Sequence, residues 1–419
     1  MITDSIESLR RRSRWGYNAA MPKRVPAKSL TVMNLVARFP FAARGATLAL
    51  IIILAVLSVY GIITSSRYGP GGDLGMFMYS ARLAMEKSDP YTVEISAPSA
   101  SFMGKRYWGP NLNPPIVLLA FAPLADKDYE DVLPYWRAGS LLIYLLAVGL
   151  LFITNQEYSS VLRIAWVLAF SPVWDSLGNG QLYMPLVLIC VVGWLLLRQH
   201  PGIAGICIGI VVAIKFHFIV WPVLLLLAGN RRAGLSSLIT FSLLSALPIL
   251  VYGPTVYSQY VSMLDSGLGP PMAFTMNGSF FGLAARLGFP LLGVFVSIPL
   301  LLGLAFWSWR SRPDALTVSA FGLVASILAS PFGWMTYDMF LLPVFLARRW
   351  NLAFLGAAVI LAIPAVDIYF PSLQSQFFLI VFGGLVNAVP ILVLVGLLKE
   401  KSSVFRFHYQ PNSESFPEP

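Results

Sequence analysis

The chain has 419 residues, 57% of them hydrophobic and only 11% charged, and it carries a net charge of +10. Apolar runs of roughly 20 residues recur along its whole length, which is typical of a polytopic α-helical membrane protein and excludes a soluble globular fold. The basic residues stand singly or in pairs at segment ends, so the charge indicates membrane topology and no nucleic-acid partner. Cys190 and Cys207 both lie inside apolar segments, and with three histidines the chain predicts no disulfide framework, no metal site and no cofactor.

The N-terminal residues 1–43 are rich in arginine and lysine and precede any apolar run. A cleavable signal peptide would have its apolar core much earlier, so we predict a cytoplasmic tail that contacts anionic membrane lipids, followed by an uncleaved first span. Residues 44–398 are predicted to form one transmembrane domain, and residues 399–419 a cytoplasmic C-terminal tail. The chain is therefore expected to be a multi-pass plasma-membrane protein with both termini in the cytoplasm.

About twelve transmembrane helices are predicted, and the expected fold class is all-α. The predicted spans are residues 44–64, 132–154, 161–177, 181–197, 202–215, 217–229, 234–253, 289–309, 314–334, 337–347, 351–370 and 377–398. A further apolar piece, residues 114–124, is too short to cross the hydrocarbon core, so we interpret it as a re-entrant or interfacial helix. With this piece left out of the count, Arg163, Arg198 and the later basic residues at segment ends all fall on the cytoplasmic side.

The segment Gly71-Gly72-Asp73 follows the first span directly and is therefore expected on the extracytoplasmic face. Two glycines allow a tight turn, and the apolar periodicity after them predicts a helix that ends at Asp89-Pro90. Asp73 stands where this helix starts. It is either an N-cap that accepts a backbone N–H bond or a general base at the mouth of a membrane cavity.

Several polar residues in the predicted outer turns are candidates for substrate binding. Lys215 ends an uncharged run and could bind a phosphate, with His217 close behind it, although a lysine at a helix end also snorkels to the interface. Asn179 and Gln181 flank a loop glycine and could bind sugar hydroxyls, or simply form the turn and cap a helix.

Three further polar residues are weaker candidates. Arg82 could reach a phosphate, but we favour an ion pair with Glu86 at helical spacing. Tyr337 and Asp338 enter the last outer turn and could contact substrate.

Short motifs occur in a fixed order over most of the region from Gly71 to about Pro343. They are Gly71-Gly72-Asp73 with Tyr79, Ala81 and Asp89-Pro90-Tyr91; Asn113-Pro114-Pro115 with Pro123-Leu124; Trp136; Gly180-Gln181; Gly209 to Lys215; Asn277-Gly278-Ser279 with Gly282 and Arg286; and Ser330-Pro331 with Trp334, Tyr337 and Leu342-Pro343. The ordered set resembles glycosyltransferase family 87, membrane enzymes of the GT-C superfamily that use polyprenyl-phosphate sugars. Phe216 stands where the family usually has proline, and Thr336 where it often has histidine.

The resemblance implies a GT-C-type helical bundle with a functional first extracytoplasmic loop, and it implies a catalytic aspartate that maps onto Asp73. It also implies a lipid-linked donor and an inverting transfer on the outer face. Tyr79 and Asn113 belong to the motifs and are added as candidate substrate contacts. The donor is expected to be a polyprenyl-phosphate sugar, with mannose as the sugar, and the acceptor an envelope glycolipid or glycan.

One carboxylate suffices for such a transfer, because phosphate is a good leaving group and the acceptor hydroxyl needs only a base. Two alternatives stay open. A transporter or flippase of lipid-linked sugars would use Asp73 as a proton-coupling residue, but it would need ionisable groups on both faces, whereas the polar turns cluster on one. A non-catalytic membrane subunit would have no need of an aspartate in a glycine turn.

Overall fold

A computed structural model describes residues 40–67, 72–92, 101–102, 105–106, 111–267, 272–364 and 375–408. Apart from the two-residue antiparallel strands β1 (Ser101–Phe102) and β2 (Lys105–Arg106), the regular structure in these ranges is helical, so the predicted all-α class is confirmed. The α-helices are α1 (Pro40–Arg67), α2 (Gly72–Met85), α3 (Ile116–Phe121), α4 (Tyr129–Thr154), α5 (Val161–Ala169), α6 (Ser171–Gly178), α7 (Tyr183–Leu196), α8 (Pro201–Ile214), α9 (Val220–Leu227), α10 (Arg231–Tyr252), α11 (Thr255–Gly267), α12 (Phe280–Arg286), α13 (Pro290–Ser311), α14 (Ala315–Leu328), α15 (Leu342–Leu346), α16 (Leu352–Leu361) and α17 (Gln376–His408). Short 3-10 helices lie at Ala122–Leu124, Gln156–Tyr158, Phe216–Ile219 and Met335–Leu341.

Within the described ranges, 5 helices are long and apolar enough to cross a membrane: α1, α4, α10, α13 and α17. Each of the other predicted spans contains at least one shorter helix. The predicted span 161–177 is divided into α5 and α6, because Pro172 has no N–H to donate to the carbonyl of Leu168 four residues earlier. The indole Nε1 of Trp174 donates to that carbonyl at 2.8 Å, so the broken turn keeps its hydrogen bond.

The apolar piece at residues 114–124 forms α3 and the 3-10 turn Ala122–Leu124 that follows it. α3 has 6 residues, so it is about 9 Å long and cannot cross a hydrocarbon core. Its apolar side chains are buried against α2 and α10. This geometry agrees with the interpretation of the piece as a helix that does not cross.

Contacts between segments far apart in sequence join predicted cytoplasmic residues to one another in two groups. Arg163 at the start of α5 donates to the carbonyl of Arg348 at 2.7 Å, and Arg348 pairs with Glu400 near the end of α17 at 2.7 Å. Arg198 after α7 lies 3.7 Å from Asp314 before α14. The segment that begins at Asp73 contacts the loop between α6 and α7, at the end of α7 opposite to Arg198, as described below. Which side of the membrane each end faces stays a prediction.

A buried clamp fixes the turn that leads to the 3-10 helix Met335–Leu341. The Asn277 side-chain amide donates to the carbonyl of Pro331 at 2.9 Å, and its Oδ1 accepts from the backbone N of Gly333 at 2.8 Å. The guanidinium of Arg286 donates to the carbonyls of Phe274 and Asn277. Motif residues that are far apart in sequence therefore hold one another in place through backbone groups.

Several predicted boundaries need correction. The predicted outer loop 254–288 contains the helices α11 and α12. The last helix continues to His408, beyond the predicted span end at residue 398, because no proline or glycine interrupts the run after Gly396. Residues 1–39 of the predicted N-terminal tail (1–43) and residues 409–419 of the predicted C-terminal tail (399–419), together with Gly71, lie outside the described residues.

The orientation of the bundle gives the first testable prediction. In a cysteine-free background, single cysteines at the exposed positions Ser88 and Asp126 should react with an impermeant maleimide added outside the cells. Cysteines at the exposed positions Gln199 and Ser311 should react only after the membrane is opened, and these four substitutions leave the topology-determining arginines unchanged. Labelling of Gln199 from outside would contradict the assignment of the ends.

Candidate functional site

Asp73 lies in the first turn of α2, and its position is fixed by the loop between α6 and α7. Its backbone N donates to the carbonyl of Asn179 at 3.2 Å. Its carboxylate accepts a hydrogen bond from the side-chain amide of Gln181. In the described part of the chain this carboxylate bonds to a different element and to no amide of its own helix, which favours the base interpretation over the N-cap.

The turn that holds Asp73 depends on a glycine. Gly180 has φ +65°, a conformation that other residues rarely adopt, and an added Cβ would lie 2.8 Å from the Cβ of Leu74. The side-chain amide of Asn179 donates to the carbonyl of Asp175 at 3.1 Å and to its carboxylate at 3.3 Å. The Asn179 side chain is thus used within its own turn, while its backbone carbonyl holds Asp73.

The environment of Asp73 changes its proton affinity. The pKa of the Asp73 carboxyl is raised to about 7: burial raises it most, the negative charge of Asp175 also raises it, and the positive charge of Lys215 partly offsets both effects. The side chain stays partly exposed. A carboxylate in this state can accept a proton from a bound hydroxyl near neutral pH.

Lys215 lies buried at the end of α8, near the Asp73 carboxylate. Its ammonium Nζ donates to the Oδ1 of Asn113 at 2.8 Å and contacts the hydroxyls of Tyr183 at 3.4 Å and Tyr337 at 3.5 Å. It also lies 4.7 Å and 5.2 Å from the ring centroids of these two tyrosines. All its direct hydrogen-bond partners are neutral, so the opposite charge that acts on the ammonium comes from the nearby Asp73 carboxylate.

The local backbone explains how Lys215 reaches this position. The residue leaves the helix with φ −130° and ψ 81°, and its carbonyl accepts the first bond of the 3-10 helix Phe216–Ile219. Asn113 is oriented by Asn111, whose Oδ1 accepts hydrogen bonds from the backbone N of Asn113 at 3.1 Å and from its side-chain amide at 3.0 Å. The remaining amide oxygen of Asn113 is therefore directed at the ammonium.

Aromatic rings enclose the ammonium. His217 stacks on Tyr337 with ring centroids 4.6 Å apart and an angle of 22°, and Tyr183 meets Tyr337 edge-on at 5.4 Å. The Nε2 atom of His217 is buried and has no hydrogen-bond partner among the described residues. A polar ligand group in this position would satisfy it.

Seven of the ten predicted site residues thus come together: Asp73, Asn113, Asn179, Gln181, Lys215, His217 and Tyr337. The other three do not join them through any described contact. Tyr79 is half-buried further along α2, and the carboxyl of Asp338 is buried with one oxygen unpaired. Arg82 donates to the carbonyl of Ala125 at 2.8 Å, and no described ion pair joins it to Glu86, so the predicted pair is wrong.

Sequence reasoning missed Tyr183 and Asp175. Tyr183 was part of an apolar run, where a tyrosine usually anchors the membrane interface, and Asp175 was part of a predicted span. The available signals were an ionisable residue inside an apolar segment and a tyrosine that directly follows a polar turn. Among the described residues no group of His, Cys, Asp and Glu could hold a metal ion.

The arrangement combines two functions that chemistry on phosphate esters requires. One carboxylate can take a proton at neutral pH, and one cation with neutral partners can stabilise negative charge that develops nearby. The aromatic and amide groups around them can bind a polar ring.

Comparisons with known proteins give one match. The family model described as glycosyltransferase family 87 matches residues 111–331, just over half of the chain. A search of curated proteins and a search of solved structures returned no match. The matched region contains Asn113, Gln181, Tyr183 and Lys215, whereas Asp73 and Tyr337 lie outside it. The chain therefore belongs to glycosyltransferase family 87 and is a membrane glycosyltransferase.

Proposed function

We propose that the protein transfers a hexose, expected to be mannose, from a polyprenyl-phosphate donor to an envelope glycolipid or glycan on the extracytoplasmic face. Asp73 is the general base, and Lys215 binds the donor phosphate. The observation that carries the proposal is the arrangement of these two side chains: a buried ammonium with three neutral oxygen contacts lies close enough to the carboxylate to lower its pKa.

The reaction is a single displacement at the anomeric carbon of the sugar. The acceptor oxygen forms a bond to this carbon from the face opposite the phosphate, and the bond from the carbon to the phosphate oxygen breaks, so the configuration inverts. The acceptor proton passes to Asp73, and the electron pair of the broken bond leaves with the polyprenyl phosphate. Lys215 stabilises the charge that grows on that phosphate.

Tyr183, Tyr337 and His217 are the groups best placed to contact the donor beside its phosphate. The two tyrosine hydroxyls accept hydrogen bonds from Lys215, and each can rotate so that it donates a hydrogen bond to a phosphate oxygen. His217 stacks on Tyr337, and its buried Nε2 has no hydrogen-bond partner among the described residues. Gln181 holds the base, and its position next to Asp73 also suits a contact with the acceptor hydroxyl.

A transporter of lipid-linked sugars is the competing function. The purified protein, given a short-chain polyprenyl-phosphate mannose and an acceptor extract, should form a mannosylated product and release polyprenyl phosphate, both detectable by mass spectrometry. Movement of the donor across proteoliposomes without release of polyprenyl phosphate would instead support the transporter.

Asp73→Asn tests the base directly. Asparagine keeps the oxygen that accepts the Gln181 hydrogen bond but cannot take a proton, so the variant should fold normally and lose about 100-fold or more in turnover. Asp89→Asn is the matched control, because Asp89 accepts the backbone N of Tyr91 at 2.9 Å, and asparagine can do the same. Near-normal transfer by a folded Asp73→Asn protein would reduce Asp73 to a structural role.

The pH profile gives an independent check. The base works when deprotonated, and its pKa is raised to about 7, so the transfer rate should fall about tenfold per pH unit below about pH 7. Asp175→Asn removes a negative neighbour that raises this pKa, so the acid limb should move to lower pH. A rate that is flat from pH 5 to 8 in the wild type would argue against the assignment.

Lys215→Met separates phosphate binding from snorkelling. Methionine keeps an apolar stem and removes the charge, so the donor Michaelis constant should rise at least tenfold, while the acceptor Michaelis constant stays unchanged. Arginine at this position should restore only part of the activity, since its planar group does not fit the contacts to Asn113 and the two tyrosines. Lys127→Met, in an exposed loop, is the control; equal activity of Lys215→Met and the wild type would remove Lys215 from the site.

A further inference from the structure

Arg137 is a charged residue inside the apolar helix α4. It is half-buried, and its guanidinium binds backbone carbonyls of a different element. Nε donates to the carbonyl of Leu177 at 3.0 Å, and NH2 donates to the carbonyl of Gly178 at 2.7 Å. A charged residue in a predicted membrane helix is costly, so its contacts call for a functional explanation.

The two carbonyls belong to the last turn of α6. The final carbonyls of a helix have no intrahelical partner, and a cation there also compensates the negative end of the helix dipole. The loop that begins immediately after these carbonyls contains Asn179 and Gln181, which hold the backbone and the carboxylate of Asp73. Two hydrogen bonds therefore link Arg137 to the candidate base: one from Arg137 to the carbonyl of Gly178, and one from the backbone N of Asp73 to the carbonyl of the next residue, Asn179.

We infer that Arg137 is a positioning residue for the transfer: its guanidinium fixes the end of α6, so that Gln181 holds the Asp73 carboxylate in place for proton transfer. The inference rests on the proposed role of Asp73 as the base. Two donors of its guanidinium, Nε and NH2, are engaged by the α6 carbonyls, so Arg137 acts on the base through the loop that follows α6.

Electrostatics adds a second link between the two residues. Tyr129, the first residue of α4, interacts electrostatically with both Arg137 and Asp73, so the cation and the carboxylate share one neighbour. Without Arg137 the carboxylate would lose the fixed Gln181 donor. This loss favours the protonated carboxyl and leaves less of the base at neutral pH.

The test uses the full-length protein with Arg137→Gln, which keeps a polar side chain but lacks the charged two-pronged donor. We expect turnover to fall at least tenfold and the acid limb of the pH profile to move up by about one unit, with the donor Michaelis constant within twofold of the wild type. Arg137→Lys, which keeps the charge but lacks the rigid planar fork that matches the two carbonyls, should lie between Arg137→Gln and the wild type and serves as the test if Arg137→Gln does not fold.

Arg163→Gln is the matched control. Arg163 is also a buried arginine that donates to a backbone carbonyl of another element, at 2.7 Å, but at the opposite end of the bundle. Its loss should lower thermal stability and leave the acid limb where it is. If Arg137→Gln lowers stability in the same way without moving the limb, Arg137 is merely structural and the inference is overturned.

A double-mutant cycle and a spectroscopic titration complete the test. Arg137→Gln and Gln181→Met should be strongly non-additive in turnover, because both act through the same carboxylate; full additivity would overturn the inference. The infrared C=O band of protonated Asp73, identified by its loss in Asp73→Asn, should titrate at higher pH in Arg137→Gln. This titration does not depend on transfer, so it separates the two claims. If the band shifts in Arg137→Gln but Asp73→Asn is fully active, the proposed base is rejected and the positioning contact is kept. If the band does not shift in Arg137→Gln, the positioning role alone is rejected.

Discussion

The buried ammonium of Lys215 is the interaction on which the candidate site depends. Removing an ammonium from water costs several kcal/mol unless other groups replace its hydration. Here the replacement consists of one amide oxygen and two phenolic oxygens from three different elements, with tyrosine rings beside them. The start of α7, the end of α8, the segment before α3 and the 3-10 helix Met335–Leu341 must therefore converge.

Irregular backbone near the site is tolerated because side chains satisfy it. Trp174 replaces the donor that Pro172 lacks, Arg137 binds the carbonyls at the end of α6, and Asn277 bridges two turns with both ends of its amide. In a membrane protein an unpaired backbone group costs more than in water, so non-helical backbone persists only where protein groups bind it.

The sequence predicted the helical class, and it singled out Asp73 and Lys215, because an aspartate after two glycines and a lysine at the end of an apolar run stand out from their surroundings. It predicted Gln181 as a site residue but not its contact, since the approach of the α6–α7 loop to α2 depends on Gly180 packing against Leu74. It was wrong for Arg82, because helical spacing to Glu86 says nothing about a carbonyl 43 residues away that competes for the same guanidinium. Tyr183 was missed because its contact with Lys215 depends on the end of α8 lying beside the start of α7, which the sequence does not show.

The family match and the candidate base lie in different parts of the chain, and the contacts between them decide whether they form one site. The matched region supplies the ammonium and the loop with Gln181, while Asp73 comes from α2 before that region. Two hydrogen bonds join them, one through the backbone carbonyl of Asn179 and one through the Gln181 side chain. Because the backbone bond fixes where Asp73 lies and the side-chain bond fixes where its carboxylate points, the carboxylate is held close enough to Lys215 for the two charges to interact.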